Sequence, residues 1–188
     1  TNGSGKISHM SWEELKQLDA GSWYHAAFSG EKIPLLEEVL DRFSGRIGFL
    51  IDLKRPSRYP GIEKQLAEML RSRKLTGADG NVIVQSFDFC TLKAFHRLLP
   101  EVPVGILIRT KQQMTQRKLE HFSTFAKYIN PRQRLVNIDS ADRIHRHGMG
   151  IMVWTVKNPE NISPLLSAGV DGMITNHPLF TGEIREMS

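Results

Sequence analysis

Two charged residues stand at the carboxyl end of an otherwise apolar run, Phe49 to Lys54. Side chains alternate between the two faces of a strand, so Asp52 and Lys54 share one face. A carboxylate such as Asp52 can bind a hard divalent cation, and an ammonium group such as Lys54 can hold a phosphate oxygen. A structural ion pair is the alternative, and position alone does not decide between the two.

Polar and aromatic residues also end later apolar runs. Trp154 lies near the end of one such run and can form an apolar wall for the carbon part of a substrate, although core packing is the simpler interpretation. Gln85 ends another run and is a candidate substrate contact, with a structural capping role as the alternative. Asn130 and Asn176 occupy similar positions, where a structural role is favoured.

Several kinds of site are excluded by what the sequence lacks. The seven histidines are scattered without an HExxH pair, and no GxSxG motif occurs. Cys90 is the single cysteine, so no intramolecular disulfide forms, and its position inside a predicted helix indicates a core residue. We therefore expect neither structural zinc nor a cysteine nucleophile.

Charge and hydropathy narrow the class of partner. The formal net charge is +5, but the basic residues are spread over helix ends and loops, which does not predict a nucleic-acid interface. A weak electrostatic funnel for a phosphate-bearing small molecule is compatible with this pattern. The sequence has no apolar stretch long enough for stable membrane insertion and no secretory signal pattern, so the cytoplasm is the expected location.

The elements that must position these residues alternate along the chain. Short apolar runs bounded by Gly, Pro or polar residues predict buried parallel strands, and amphipathic runs between them predict crossover helices. The strand candidates run from Phe49 to Lys54, Val82 to Phe87, Val104 to Ile108, Ala126 to Asn130, Ile151 to Val156 and Gly172 to Asn176.

This alternation leaves an open doubly wound sheet or a closed (β/α)8 barrel of the TIM type. No nucleotide-binding glycine motif supports the open sheet, so the barrel is favoured. A barrel needs eight strands and about 250 residues. The first 47 residues predict only a short helix from Trp12 to Leu18, capped by Ser11, and a helix over 33–43. We therefore expect a single partial barrel domain over 1–188 that lacks about the first two βα units.

Seven short segments, taken in order, resemble the glycerophosphodiester phosphodiesterase family over nearly the whole chain. They are TNGSGKI, SWEELKQLDAGSW, KIPLLEEVL, FLIDLK, VIVQSF, IMVWTV and GVDGMITNHP. The resemblance implies a (β/α)8 barrel that hydrolyses small-molecule glycerophosphodiesters to an alcohol and glycerol 3-phosphate with a divalent cation, Ca²⁺ or Mg²⁺.

The resemblance also assigns roles to residues. The family's Glu-x-Lys matches Asp52 and Lys54, which implies a metal ligand and a catalytic, phosphate-contacting lysine. Trp154 would line the glycerol pocket. Asp in place of Glu is a departure, because the shorter side chain reaches the ion only if the backbone or the ion shifts.

A larger departure concerns residues that cannot be mapped. The family's His-Arg, Glu-x-Asp and second His precede the segment that matches Thr1, so this chain has no general acid or base histidine. We therefore expect the 188 residues alone to have no appreciable activity. One alternative is a non-catalytic binding protein whose truncated barrel covers its sheet edges with a partner or as a homo-oligomer. A different phosphate-handling barrel enzyme is the other.

Overall fold

The computed structural model of the chain describes residues 1–77 and 81–177. These residues form two compact units. One comprises Thr1–Gly48 with Ser57–Pro60, and the other comprises Phe49–Pro56 and the chain from Gly61 onward. Pro178, which ends the last segment of the family resemblance, lies outside the described residues.

Six parallel strands form one sheet in the second unit, and each pairs with the strand next in the sequence. This arrangement confirms the predicted α/β class and the six predicted strands, with ends that shift by one or two residues. The strands are β1 (Phe49–Asp52), β2 (Val82–Ser86), β3 (Val104–Ile108), β4 (Tyr128–Pro131), β5 (Gly150–Val156) and β6 (Gly172–Thr175).

Helices follow the strands as the alternating pattern predicts. In α3 the predicted apolar stripe is largely buried, with Leu66 and Leu70 almost fully covered. Asp88 caps α4 by accepting the Thr91 N–H at 3.0 Å. The helices are α1 (Trp12–Leu15), α2 (Leu36–Phe43), α3 (Ile62–Ser72), α4 (Phe89–Leu98), α5 (Gln116–Ser123), α6 (Ile138–Arg146) and α7 (Ile162–Ser167). In the part of the chain that the structure describes, no helix combines the length and the apolar composition needed to cross a bilayer.

The two faces of the sheet differ in burial. Alternate side chains point to opposite faces, and the strand register places Asp52 beside Gln85. The other face, on which the helices pack, is fully buried at Val84, Ile106, Ile129 and Ile151. The face that carries Asp52 is more open, because Leu50 on it is 38% exposed. At the carboxyl ends of this face, Asp52 and Trp154 are partly exposed, whereas Gln85 and Asn130 are buried.

The first unit contains α1 and α2 and, over its fully described residues 1–48, no strand. The Ser11–Glu14 capping box forms as predicted, but α1 ends at Leu15 instead of Leu18. The helix predicted over 33–43 begins only at Leu36, because Leu35 is extended and serves as the N-cap. Both differences are shortenings of helix ends.

Asp19 organises the loop that follows α1. Its carboxylate accepts backbone N–H groups from Ser22, Gly30 and Gly21 at 2.7 to 2.9 Å, and the Ser22 hydroxyl at 2.7 Å. The hydrogen bonds from Ser22 and the two glycines hold the pKa of the Asp19 carboxyl well below its usual range. A side chain at Gly21 would overlap the carbonyl of Phe28, so this close approach requires glycine.

Candidate active site

The carboxyl ends of the strands bring the predicted site residues to one edge of the sheet. Asp52 is the last residue of β1, and its Oδ2 lies 3.4 Å from the Lys54 Nζ. The strand was predicted to continue to Lys54, but it ends at Asp52, and Arg55 adopts a left-handed φ of 50°. Lys54 therefore lies in the loop after β1, with its side chain 81% exposed.

Asp52 has one oxygen that no protein group satisfies. Its Oδ1 is buried and has no hydrogen-bond partner among the described residues. A buried carboxylate oxygen without a donor is costly unless a cation or another donor reaches it. The atom thus meets one requirement of a ligand for a hard divalent cation.

Gln85 and Asn130 form a buried polar pair on the same face. Asn130 donates its Nδ2–H to Gln85 Oε1 at 2.8 Å, and the two residues are 0% and 6% exposed respectively. Gly105 lies between them in the sheet, and a Cβ there would come within 2.7 Å of Asn130 Nδ2. The pair fixes the oxygen of Gln85, while Asn130 Oδ1 is buried without a partner among the described residues.

Trp154 is held at this edge by contacts on several sides. Its Nε1–H donates to the Asn130 carbonyl at 2.6 Å, and its ring meets Phe87 edge-on with centroids 5.4 Å apart. The guanidinium carbon of Arg132 lies 5.2 Å from the Trp154 ring centroid. The indole is only half-buried, so it can also form a wall for a ligand.

Two arginines bring positive charge that the sequence analysis did not assign to the site. Arg109 follows β3 directly and stacks 3.8 Å above the Phe87 ring, and Arg132 follows β4 directly. Each arginine directly follows an apolar strand, and the carboxyl ends of parallel barrel strands meet at one face. This position in the sequence could have identified both residues as site candidates. From the sequence, both residues count among the loop charges for which a weak electrostatic funnel toward a phosphate-bearing molecule is the alternative.

Two cavities open at this edge. One, of about 500 Å³, is lined by Arg55, Phe87, Arg109 and Cys90 among others. The expectation that Cys90 lies in the core is wrong, because it is exposed in the first turn of α4. The second cavity, of about 560 Å³, is lined by Trp154 and by residues from the loops after β4 and β5. No histidine lines either cavity.

The described residues provide a partial fit for a metal ion. They contain no group of three or more His, Cys, Asp or Glu side chains able to hold one. Asp52 alone supplies a carboxylate with a free buried oxygen at this edge. The donor chemistry is correct for Ca²⁺ or Mg²⁺, which prefer oxygen ligands, but further ligands are required.

The histidines near the end of α6 have structural roles. His147 is the C-cap of α6, and His145 Nε2 donates to Asp171 Oδ2 at 2.9 Å. Burial raises the pKa of the Asp171 carboxyl, but hydrogen bonds from His145 and the Ile151 N–H lower it by more, so the pKa lies below its ordinary value.

Comparison with known proteins agrees with this architecture. The Bacillus subtilis protein YhdW is 39% identical over 181 residues, covering 96% of this chain and 73% of that protein. A glycerophosphodiester phosphodiesterase of the same organism is 37% identical, covering 95% of this chain and 65% of that enzyme. An Oleispira antarctica phosphodiesterase, solved in complex with its product sn-glycerol-3-phosphate, superposes with a TM-score of 0.81 at 24% identity.

That solved structure covers 100% of this chain, while the chain covers 74% of it, so the curled six-stranded sheet corresponds to part of its fold. The sequence profile of the glycerophosphoryl diester phosphodiesterase family matches residues 1–179. The chain belongs to the glycerophosphoryl diester phosphodiesterase family.

Proposed function

We propose that this protein hydrolyses glycerophosphodiesters to an alcohol and glycerol 3-phosphate in a reaction that depends on Ca²⁺ or Mg²⁺. The observation that carries the proposal is the Asp52–Lys54 pair, in which a buried carboxylate oxygen without a partner lies next to an exposed ammonium group. Membership of the family and the relative named as a glycerophosphodiester phosphodiesterase support it.

In the hydrolysis, water attacks phosphorus and the bond from phosphorus to the alcohol oxygen breaks. Water gives up a proton, and the departing oxygen takes one. Lys54 holds a non-bridging phosphate oxygen and offsets the negative charge that builds up there. Asp52 is one ligand of the cation, which when bound supplies further charge neutralisation and positions the phosphate. Trp154 lines the glycerol pocket, and Gln85 contacts substrate through the part of its amide that Asn130 does not occupy.

The two proton transfers need groups that these residues do not supply. The family pattern places two histidines and two further carboxylate ligands ahead of the segment that matches Thr1. We infer that a complete site joins the six strands to two more βα units, and that the 188 residues by themselves are inactive.

The test measures release of glycerol 3-phosphate from glycerophosphocholine by the 188-residue chain alone and by any longer natural protein that contains it. We expect turnover by the natural protein, loss of turnover with a chelator, and recovery with Ca²⁺ or Mg²⁺. Replacing Lys54 by Ala should lower kcat by about 10²- to 10³-fold, since removing one oxyanion-stabilising donor costs that much. Lys111→Ala, at an exposed lysine that lines neither cavity at this edge, is the control. Normal turnover by the Lys54 variant would refute the assigned role.

A second candidate is a non-catalytic binding protein. It is favoured by the lack of a group of metal-ligating side chains in the described residues and by the exposure of Leu50 on the open sheet face. Binding of glycerol 3-phosphate without turnover, in the natural protein and under every metal condition, would select this candidate over the enzyme.

A further inference from the structure

The described lining of the cavity beside Trp154 carries a net positive charge. Its lining includes three basic side chains, Arg132, Arg134 and Lys157, and no carboxylate. No ion pair involving these three falls within the described part of the chain. With a volume of about 560 Å³, the cavity is large enough for a phosphate group together with the organic moiety that bears it. We call this lining the cationic pocket.

Arg132 is positioned by the sheet before any ligand arrives. Its backbone N–H donates to the Ile108 carbonyl at 3.1 Å, and the residue bridges to Trp154 on β5. The guanidinium lies over the Trp154 ring and is half-buried. A guanidinium stacked on an aromatic ring keeps its edge N–H donors available for an anion. Little conformational entropy is therefore lost when Arg132 binds one.

Neutral donors complete the lining. Asn161 enters from the loop after β5, and Thr155 and Gln133 contribute further polar groups. Asn158 also lines the pocket, but its Nδ2–H donates to Glu160 Oε1 at 3.1 Å. Arg134 and Lys157 are exposed at the mouth, where they can follow the position of a bound group. A stacked guanidinium, two exposed cations and neighbouring polar groups suit the oxygens of a phosphate better than a neutral alcohol.

We propose that the cationic pocket binds a second anionic group of the substrate, so that the protein prefers glycerophosphodiesters that bear a further phosphate. This inference rests on the proposed function, because it takes the Lys54 side of the edge to hold the phosphodiester itself. Trp154 lines the cationic pocket, and its ring meets Phe87, which lines the other cavity at this edge, so an organic moiety against the Trp154 ring would connect the two anions.

The test compares two ligands that differ only in the second anion. They are glycerophosphoglycerol and the same diester phosphorylated on its terminal hydroxyl. Dissociation constants for the 188-residue chain are measured by calorimetry and by ¹⁵N chemical-shift titration. At low salt, we expect the phosphorylated ligand to bind about tenfold more tightly than the parent diester. In 0.5 M NaCl the ratio of the two dissociation constants should fall by about threefold or more, since salt screens interactions between exposed charges.

Variants assign the preference to the pocket. Arg134→Gln combined with Lys157→Gln should weaken the phosphorylated ligand by about three- to tenfold and the parent diester by less than about twofold, as expected for exposed charge pairs. Lys64→Gln combined with Arg117→Gln removes the same charge from exposed positions on α3 and α5 and should change neither affinity.

Three results would overturn the proposal. They are equal affinity for the two ligands, equal weakening by both double variants, and binding of inorganic phosphate to the pocket as tightly as the phosphorylated diester. Neither the calorimetry nor the ¹⁵N chemical-shift titration requires turnover. A protein that keeps this preference but never releases glycerol 3-phosphate would contradict the proposed function and leave the pocket assignment intact.

Discussion

Replacing Gly105 by Ala should break the buried pair between Asn130 and Gln85. The new Cβ would lie 2.7 Å from Asn130 Nδ2 and 3.3 Å from its Cγ, so the Asn130 side chain must move. That side chain is 0% exposed and has no open space to enter without losing its 2.8 Å hydrogen bond to Gln85. The substitution therefore introduces both overpacking and an unsatisfied buried group.

The magnitude follows from these two effects. Overpacking a core costs about 1–3 kcal/mol, and leaving a buried polar group unsatisfied costs about 1–3 kcal/mol. Replacing a strand glycine by alanine returns about 0.5–1 kcal/mol through the lower conformational entropy of the unfolded chain. Moving the Asn130 side chain breaks its hydrogen bond but relieves part of the overlap, so the two costs do not add in full. We expect Gly105→Ala to lower the free energy of unfolding by about 2–3 kcal/mol.

A double-mutant cycle isolates the clash. In an Asn130→Ala background the obstructing side chain is gone, so Gly105→Ala should be neutral or stabilising by up to about 1 kcal/mol. The difference between the effects of Gly105→Ala in the two backgrounds is the coupling energy, which should be near 3 kcal/mol. Urea unfolding followed by circular dichroism measures each variant, and the single substitution should lower the midpoint by about 1 M. If Gly105→Ala cost the same in both backgrounds, the clash with Asn130 would not be the cause.

Two further predictions concern residues to which the proposed mechanism gives no role. Asp171→Asn should lower stability at pH 7 by less than about 1 kcal/mol, because its pair with His145 is half exposed. The folded pKa of Asp171 lies below its ordinary value, so this contribution to stability is present above about pH 4 and is lost as the pH falls through the folded pKa. The urea midpoints of the parent protein and of Asp171→Asn, measured across pH 2–7, should therefore converge at the acid end. Because Cys90 is exposed, the rate at which it reacts with a disulfide reagent in the native protein should lie within about tenfold of its rate in urea. A native rate far below this would contradict the structure.

The sequence predicted those features that depend on local pattern. Apolar runs between turn residues located all six strands. Asp52 and Lys54 do lie 3.4 Å apart, but Lys54 follows the strand instead of continuing its alternation. Strand and helix ends were less predictable, because a single backbone conformation, such as the left-handed Arg55, decides where a strand stops.

Features that depend on the register between strands were not predictable. Gln85 and Asn130 are 45 residues apart, and only the pairing of β2, β3 and β4 across Gly105 brings their side chains into contact. Arg132 over Trp154 depends in the same way on a bridge between two segments. Cys90 was misplaced because the helical pattern identifies the helix but not which part of its first turn is exposed.

The order of the strands bears on how this sheet is assembled during synthesis. Every described strand from β2 to β6 pairs with the strand made immediately before it, so none of these five pairings waits for a distant segment. Each strand pairing joins residues that are one βα unit apart in the sequence. The mean sequence separation of contacting residues is therefore low for a parallel sheet. On the ribosome, a newly emerged strand therefore finds its partner already present. Translation can extend the sheet one unit at a time.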